Sequence, residues 1–144
     1  MKNIYLFGFS RWKHNFVKSF LKEYKTHNIF FINPINSSHY KLALKKGLDK
    51  DSLIFIWGKK EFQEIEDFAR IHDITITRIE DGFIRSVGLG SDLTRPYSLV
   101  LDDKGIYFDP TQSSRLETIL NTYDFDEDIL KEAKELRQKI LDTK

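Results

Sequence analysis

The chain has 144 residues, carries 23 lysines and arginines against 22 acidic residues, and contains no cysteine. That length suits one domain with at most a short appendage, and such a chain buries roughly 70% of its unfolded surface without disulfide help. The near-neutral balance removes the electrostatic case for a non-specific nucleic-acid binder, and the missing thiols exclude disulfides, thiolate zinc sites and thiol catalysis.

In chain order, Asn3–Phe7 (NIYLF) predicts a first strand. Its apolar run is too short for the core of a signal peptide, and the aromatic and basic residues of FGFSRWK follow where small ones would be needed. No segment approaches the ~20 apolar residues of a membrane span, so the sequence reads as a soluble intracellular chain. Phe16, Val17, Phe20, Leu21 and Tyr24 share one face at helical spacing. A second strand, Asn28–Ile32, leads to Asn36-Ser37-Ser38, which matches a glycosylation sequon but reads more simply as a polar turn. Tyr40–Lys46 predicts a short helix ended by Gly47. Ser52–Trp57 is a third strand, and Phe62, Ile65, Phe68 and Ala69 mark another helix. Ile74–Ile79 is a fourth strand whose stronger alternation places it nearer an edge. This order predicts an α/β fold, a Rossmann-like, doubly wound and mainly parallel sheet.

Beyond Leu93 the pattern changes. Two apolar runs flank Asp102-Asp103-Lys104-Gly105, which predicts a β-hairpin starting from a strand at Ser98–Leu101. C-terminal helices follow: one over Ser113–Leu120, and one opened by Asp126 as N-cap. In the last helix Ile129, Ala133, Leu136 and Ile140 form an apolar face, to be covered by the sheet, a partner or further chain.

Several chemical readings fail on spacing. GLGSDL begins like a dinucleotide fingerprint, but Leu93 stands where the third glycine belongs, and the segment does not follow the first strand. The first β–α turn holds Gly8, Ser10 and Arg11, and its backbone N–H groups could take an anion, although a single glycine there more often serves packing. The four histidines lack ligand spacing, so no metal is expected, and no nucleophile elbow is present.

The segment Arg78–Leu93, RIEDGFIRSVGLGSDL, remains. Glu80 and Asp81 follow the fourth strand, at the end where ligand crevices form in open α/β sheets. Gly82 permits a sharp bend, and Gly88 and Gly90 a second one that could approach a ligand closely. Arg85 and Arg95 can each make forked contacts to a carboxylate or phosphate. These pieces suit an anionic substrate with a carboxylate acid, base or nucleophile. They equally suit a surface turn in which Arg85 pairs Asp92 or Glu80.

From Arg78 to Leu120 the sequence resembles the signature of the bacterial capsule polysaccharide synthesis family typified by KpsC, through EDGF.RSVGLGSDL and SLVLDD.GIY.DP. GFSRWK is similar to an element of the second of that family's two catalytic modules. The resemblance implies a β-Kdo glycosyltransferase with a GT-B-like module, two Rossmann-like domains facing across a cleft. It implies a CMP-Kdo donor, a Kdo-terminated glycolipid acceptor, no cofactor, and retention through a covalent sugar–aspartate adduct. Carried onto this chain, Asp81 is the expected nucleophile, with Glu80 as helper or alternative. Arg85, Arg95, Ser86, Gly88, Gly90, Ser10 and Arg11 are the expected substrate-binding residues. Residues 1–122 would be the acceptor-side domain, and 123–144 the start of the connection to a second domain absent here. The chain alone is then expected to be inactive. Its setting would be cytoplasmic, peripheral to the inner membrane or to a capsule complex, with no nucleic-acid partner. A non-catalytic binding or assembly domain of such a complex is the alternative, and a generic nucleotide-binding domain a weaker third.

Overall fold

The computed structural model describes residues 2–86, Gly88 and residues 92–143. The chain runs β1 (Asn3–Phe7), α1 (His14–Phe20), β2 (Asn28–Ile32), α2 (His39–Lys45), β3 (Leu53–Trp57), α3 (Gln63–Ile71), β4 (Ile76–Asp81), β5 (Leu99–Asp102), α4 (Arg115–Thr122) and α5 (Glu127–Asp142). The five strands form one sheet in the order β2-β1-β3-β4-β5. All neighbouring pairs are parallel except β4–β5. The expected Rossmann-like, mainly parallel sheet is therefore present.

Strand alternation sends the apolar runs to both faces. Ile4, Leu6, Phe55 and Trp57 join Phe16, Val17 and Leu21 from the α1 region in one core layer. Tyr5, Phe7, Ile54 and Ile56 join Ala43 of α2 and Ile65 and Ala69 of α3 in the other. Each fully buried aliphatic or aromatic side chain contributes about 1.5–3 kcal/mol, which fixes β1 and β3 as the sheet centre. Gly47 ends α2 at φ +88°, with its N–H bonded to Leu44 O, as the sequence implied.

Two expectations change. β4 ends at Asp81, not Ile79, because Glu80 and Asp81 pair with Val100 and Leu99 of β5. It stands next to the edge strand, β5. The hairpin around Asp102–Gly105 does not form, since Ile106–Phe108 does not return as a strand. Asp102 is buried, and its Oδ1 accepts the N–H groups of Lys104 and Gly105 while Oδ2 accepts that of Arg115. Those bonds turn the chain toward α4 instead.

Ser114 and Asp126 cap α4 and α5 through their side-chain oxygens. Helix α5 has no buried residue, and Leu130, Leu136, Ile140 and Leu141 are exposed. The sheet therefore does not cover its apolar face. No helix among the described residues is long and apolar enough to cross a membrane.

Candidate functional site

Three loops leave the carboxyl ends of β1, β3 and β4 on the same rim of the sheet, and strand order reverses between β1 and β3. That is where open α/β sheets form ligand crevices. The loops are tied together. Lys60 Nζ donates to Gly8 O at 2.5 Å, joining the first loop to the second. Gly8 holds φ +81°, and a Cβ there would lie 2.7 Å from Lys60 Cδ. Arg78 of β4 donates through Nη1 to Gly58 O and Lys60 O, both at 3.0 Å. Gly58 N–H bonds Ile79 O at 2.8 Å, so the second loop is pinned to β4.

Asp81 closes β4 and is half-buried. Its Oδ2 accepts from Arg85 Nε at 2.6 Å, while Oδ1 is buried and has no hydrogen-bond partner among the described residues. An unpaired buried acceptor costs about 1–3 kcal/mol, and native structures keep few of them without a functional reason. The same Arg85 donates through Nη1 to Ser86 Oγ and Gly88 O, both at 2.7 Å, and through Nη2 to Thr94 O at 2.8 Å. Its backbone carbonyl accepts from Tyr97 N–H. Arg85 is thus the hub of the 82–98 loop. The forked contact that the sequence offered to a ligand anion is made to Asp81 and the loop backbone.

Gly82 is buried, and its N–H bonds Ser98 O at 2.8 Å. A Cβ at Gly82 would stand 2.0 Å from Ser98 Oγ, so this bend admits only glycine. Leu93, in the place of a third fingerprint glycine, holds φ +58°, a left-handed conformation costing about 1–2 kcal/mol for a residue with a Cβ.

Glu80 points its Oε1 back to accept Asp81 N–H at 2.9 Å, and its Oε2 lies over Gly58, 2.8 Å from where a Cβ would be. Burial pushes the Glu80 carboxyl above the ordinary carboxylate range, against the Asp81 N–H bond and the Lys13 charge. Lys13 was absent from the expected set, yet its ammonium sits 3.2 Å from the Trp57 ring centroid. Burial pulls the Lys13 ammonium down, opposed by the charges of Asp81 and Glu80. Tyr107 is raised by burial and then by the charges of Glu80 and Asp81. The signal for Lys13 and Lys60 was positional: each follows the carboxyl end of a central parallel strand.

Of the other expected residues, Ser86 and Gly88 serve the Arg85 hub. Arg95 is exposed and makes no ion pair with Glu80 or Asp81 among the described residues. Ser10 and Arg11 are exposed, Ser10 O accepting from Lys13 N–H at the turn that delivers Lys13. Gly90 lies outside the described residues. No cluster of three or more potential ligand groups gathers for a metal among the described residues.

The geometry therefore offers a carboxylate anchored through one oxygen, a second carboxyl beside it, and a lysine held on an indole within range of both charges. Comparison with known proteins finds relatives among proteins of capsule polysaccharide and lipopolysaccharide synthesis and processing. The chain is 44% identical over 138 residues to the capsule polysaccharide modification protein LipA of Neisseria meningitidis, in both serogroup A and serogroup B strains. It is 32% identical over 118 residues to the lipopolysaccharide-processing protein LpsZ of Rhizobium meliloti. Those alignments take in 96% and 82% of this chain but only 18% of LipA and 26% of LpsZ. Among solved structures, the Thermosulfurimonas dismutans protein described as KpsC, beta Kdo 2,7 transferase, matches with TM-score 0.64 and 33% identity. That match covers 94% of this chain and 41% of the KpsC chain. The model of the capsule polysaccharide biosynthesis protein family matches residues 52–143, and this chain belongs to that family.

Proposed function

We propose that this chain is the nucleophile-bearing half of a retaining β-Kdo transferase that acts in capsule polysaccharide synthesis. The observation that carries the reading is Asp81 itself: a carboxylate at the carboxyl end of β4, anchored by Arg85 through Oδ2, with Oδ1 unpaired among the described residues. The similarity to a KpsC described as a beta Kdo 2,7 transferase supplies the substrate class.

In this reading the Asp81 carboxylate attacks the anomeric carbon of Kdo in CMP-Kdo. The bond to the phosphate oxygen breaks, CMP leaves with the electron pair, and a glycosyl ester forms on Asp81. An acceptor hydroxyl of a Kdo-terminated glycolipid then attacks the same carbon, its proton passes to Glu80, and the Asp81 carboxylate is released. Two inversions give net retention. Glu80 suits the proton step because burial raises its affinity for a proton. Lys13, close to both carboxylates, would offset the negative charge brought by the donor.

Residues 1–122 act as the acceptor-side domain, and 123–144 begin the connection to a second Rossmann-like half that binds the cytidine nucleotide. The isolated chain then shows negligible transfer. The test is Asp81→Ala in the joined protein, meaning this chain together with that second half. Transfer from CMP-Kdo to a Kdo-terminated acceptor is expected to vanish, and transfer near the wild-type rate would sink the assignment. The exposed apolar stripe of α5 also suits an assembly domain that docks a partner in a capsule complex. That second reading predicts that Asp81→Ala leaves transfer intact while substitution of Leu136 abolishes complex formation.

A further inference from the structure

The loop that follows the nucleophile and the loop that follows β5 bring three exposed aromatic rings together. Phe83 and Tyr107 have ring centroids 4.8 Å apart, and Tyr107 and Phe108 5.2 Å apart. Phe83 is 62% exposed, Tyr107 36% and Phe108 46%, an exposed aromatic patch of the kind that marks a binding surface. The cluster is fixed to the reacting carboxylates. Phe83 lies two residues beyond Asp81, and a Cβ at Gly58 would meet both Glu80 Oε2 and Phe108 Cζ. Lys59 Nζ holds buried Asp109 at 2.9 Å, which locks the Ile106–Asp109 turn onto the end of β3.

Tyr107 also lines an open cavity of about 620 Å³ between this turn and α4. Its wall combines Leu116 and Leu120 with Gln112 and Asn121, whose amides make no hydrogen bond among the described residues. No lysine or arginine lines it, so it offers nothing to a phosphate or a sugar carboxylate. Aromatic faces beside unspent amide groups match the alternation of C–H faces and hydroxyl edges on a pyranose ring.

We propose that Phe83, Tyr107 and Phe108 form a stacking platform for the acceptor saccharide, with its uncharged, hydroxylated part in the adjoining cavity. This rests on the transfer reading above and assigns the acceptor side of that site. The acidic group of the acceptor is left outside the cavity, toward Asp81, where Lys13 and Lys60 stand. A hydroxyl of the stacked sugar then faces the rim that carries Asp81 and Glu80.

The experiment is saturation-transfer NMR on the 144-residue chain, with the methyl glycoside of Kdo as probe. Phe83→Ala and Tyr107→Ala are each expected to weaken binding by about 3- to 10-fold, the range of an aromatic stacking contact. Ile71→Ala, an exposed apolar change on α3, should leave affinity unchanged. In the joined protein Tyr107→Ala should raise the acceptor KM with little change in kcat. Wild-type affinity in both aromatic variants, or no saccharide binding by the wild-type chain, overturns the platform. Failure of the transfer reading shows separately, as transfer that survives Asp81→Ala.

Discussion

Arg85 and Asp81 stand four residues apart across the Gly82 bend, with Nε 2.6 Å from Oδ2. The same guanidinium holds Ser86, Gly88 and Thr94, so the orientation of the carboxylate and the course of the loop are set by one side chain. Arg85→Ala is expected to lower transfer in the joined protein by about 100-fold, the usual loss when a reacting group is displaced by around an ångström. Arg85→Lys should restore little, because an ammonium cannot span the carboxylate and two carbonyls as the fork does. Steady-state kinetics of the two variants check this; full activity of the lysine variant would show that charge alone suffices.

Glu80 yields a pH prediction. Burial raises its carboxyl above the ordinary carboxylate range. The folded state therefore binds the proton more tightly than the unfolded state. Stability is fully present below the unfolded value and falls as pH rises through the folded one. Glu80→Gln removes the buried charge while keeping an acceptor for Asp81 N–H. It should be more stable than wild type near neutral pH, and the advantage should disappear below about 4, where an unfolded glutamate is itself protonated. Urea unfolding at the two ends of that range measures the difference; an advantage independent of pH would contradict the burial argument.

The bend at Gly82 is a steric prediction. A Cβ there meets Ser98 Oγ at 2.0 Å and the Ser98 carbonyl carbon at 2.9 Å. Gly82→Ala should destabilise by about 1–3 kcal/mol, as overpacking does. Adding Ser98→Ala should recover only part, since the backbone clash remains. Thermal melts of the single and double variants decide it.

Much of this was legible in the sequence, for a physical reason. The β1 and β3 runs are apolar on both faces because helices cover both, and Asp126 and Gly47 mark their helix ends by local chemistry. The position of Glu80 and Asp81 followed from strand polarity. What was hidden depends on contacts distant in sequence. β4 runs on through Asp81 only because β5 pairs with it, and the hairpin fails because Asp102 captures Arg115 N–H. Arg85 turns inward to Asp81, and Lys13 reaches the site only because β1 and β3 are neighbours, which puts Trp57 beneath it.

Asp102 gives a structural counterpart to Arg85. Its three backbone donors, Lys104, Gly105 and Arg115, link the end of β5 to the start of α4. Asp102→Ala should cost about 1–3 kcal/mol, and Asp102→Asn should recover part of that through the retained carbonyl oxygen. Unchanged melting of the alanine variant would show that water replaces those bonds without loss.

Covalent capture of the sugar by Asp81 is the central expectation, and peptide mass spectrometry tests it most directly. The joined protein is incubated with CMP-Kdo in the absence of acceptor, then digested. The prediction is a mass increase of one Kdo residue on the peptide carrying Asp81, lost in Asp81→Ala and discharged when acceptor is added. A Kdo adduct on another residue, or undiminished labelling of Asp81→Ala, would contradict it.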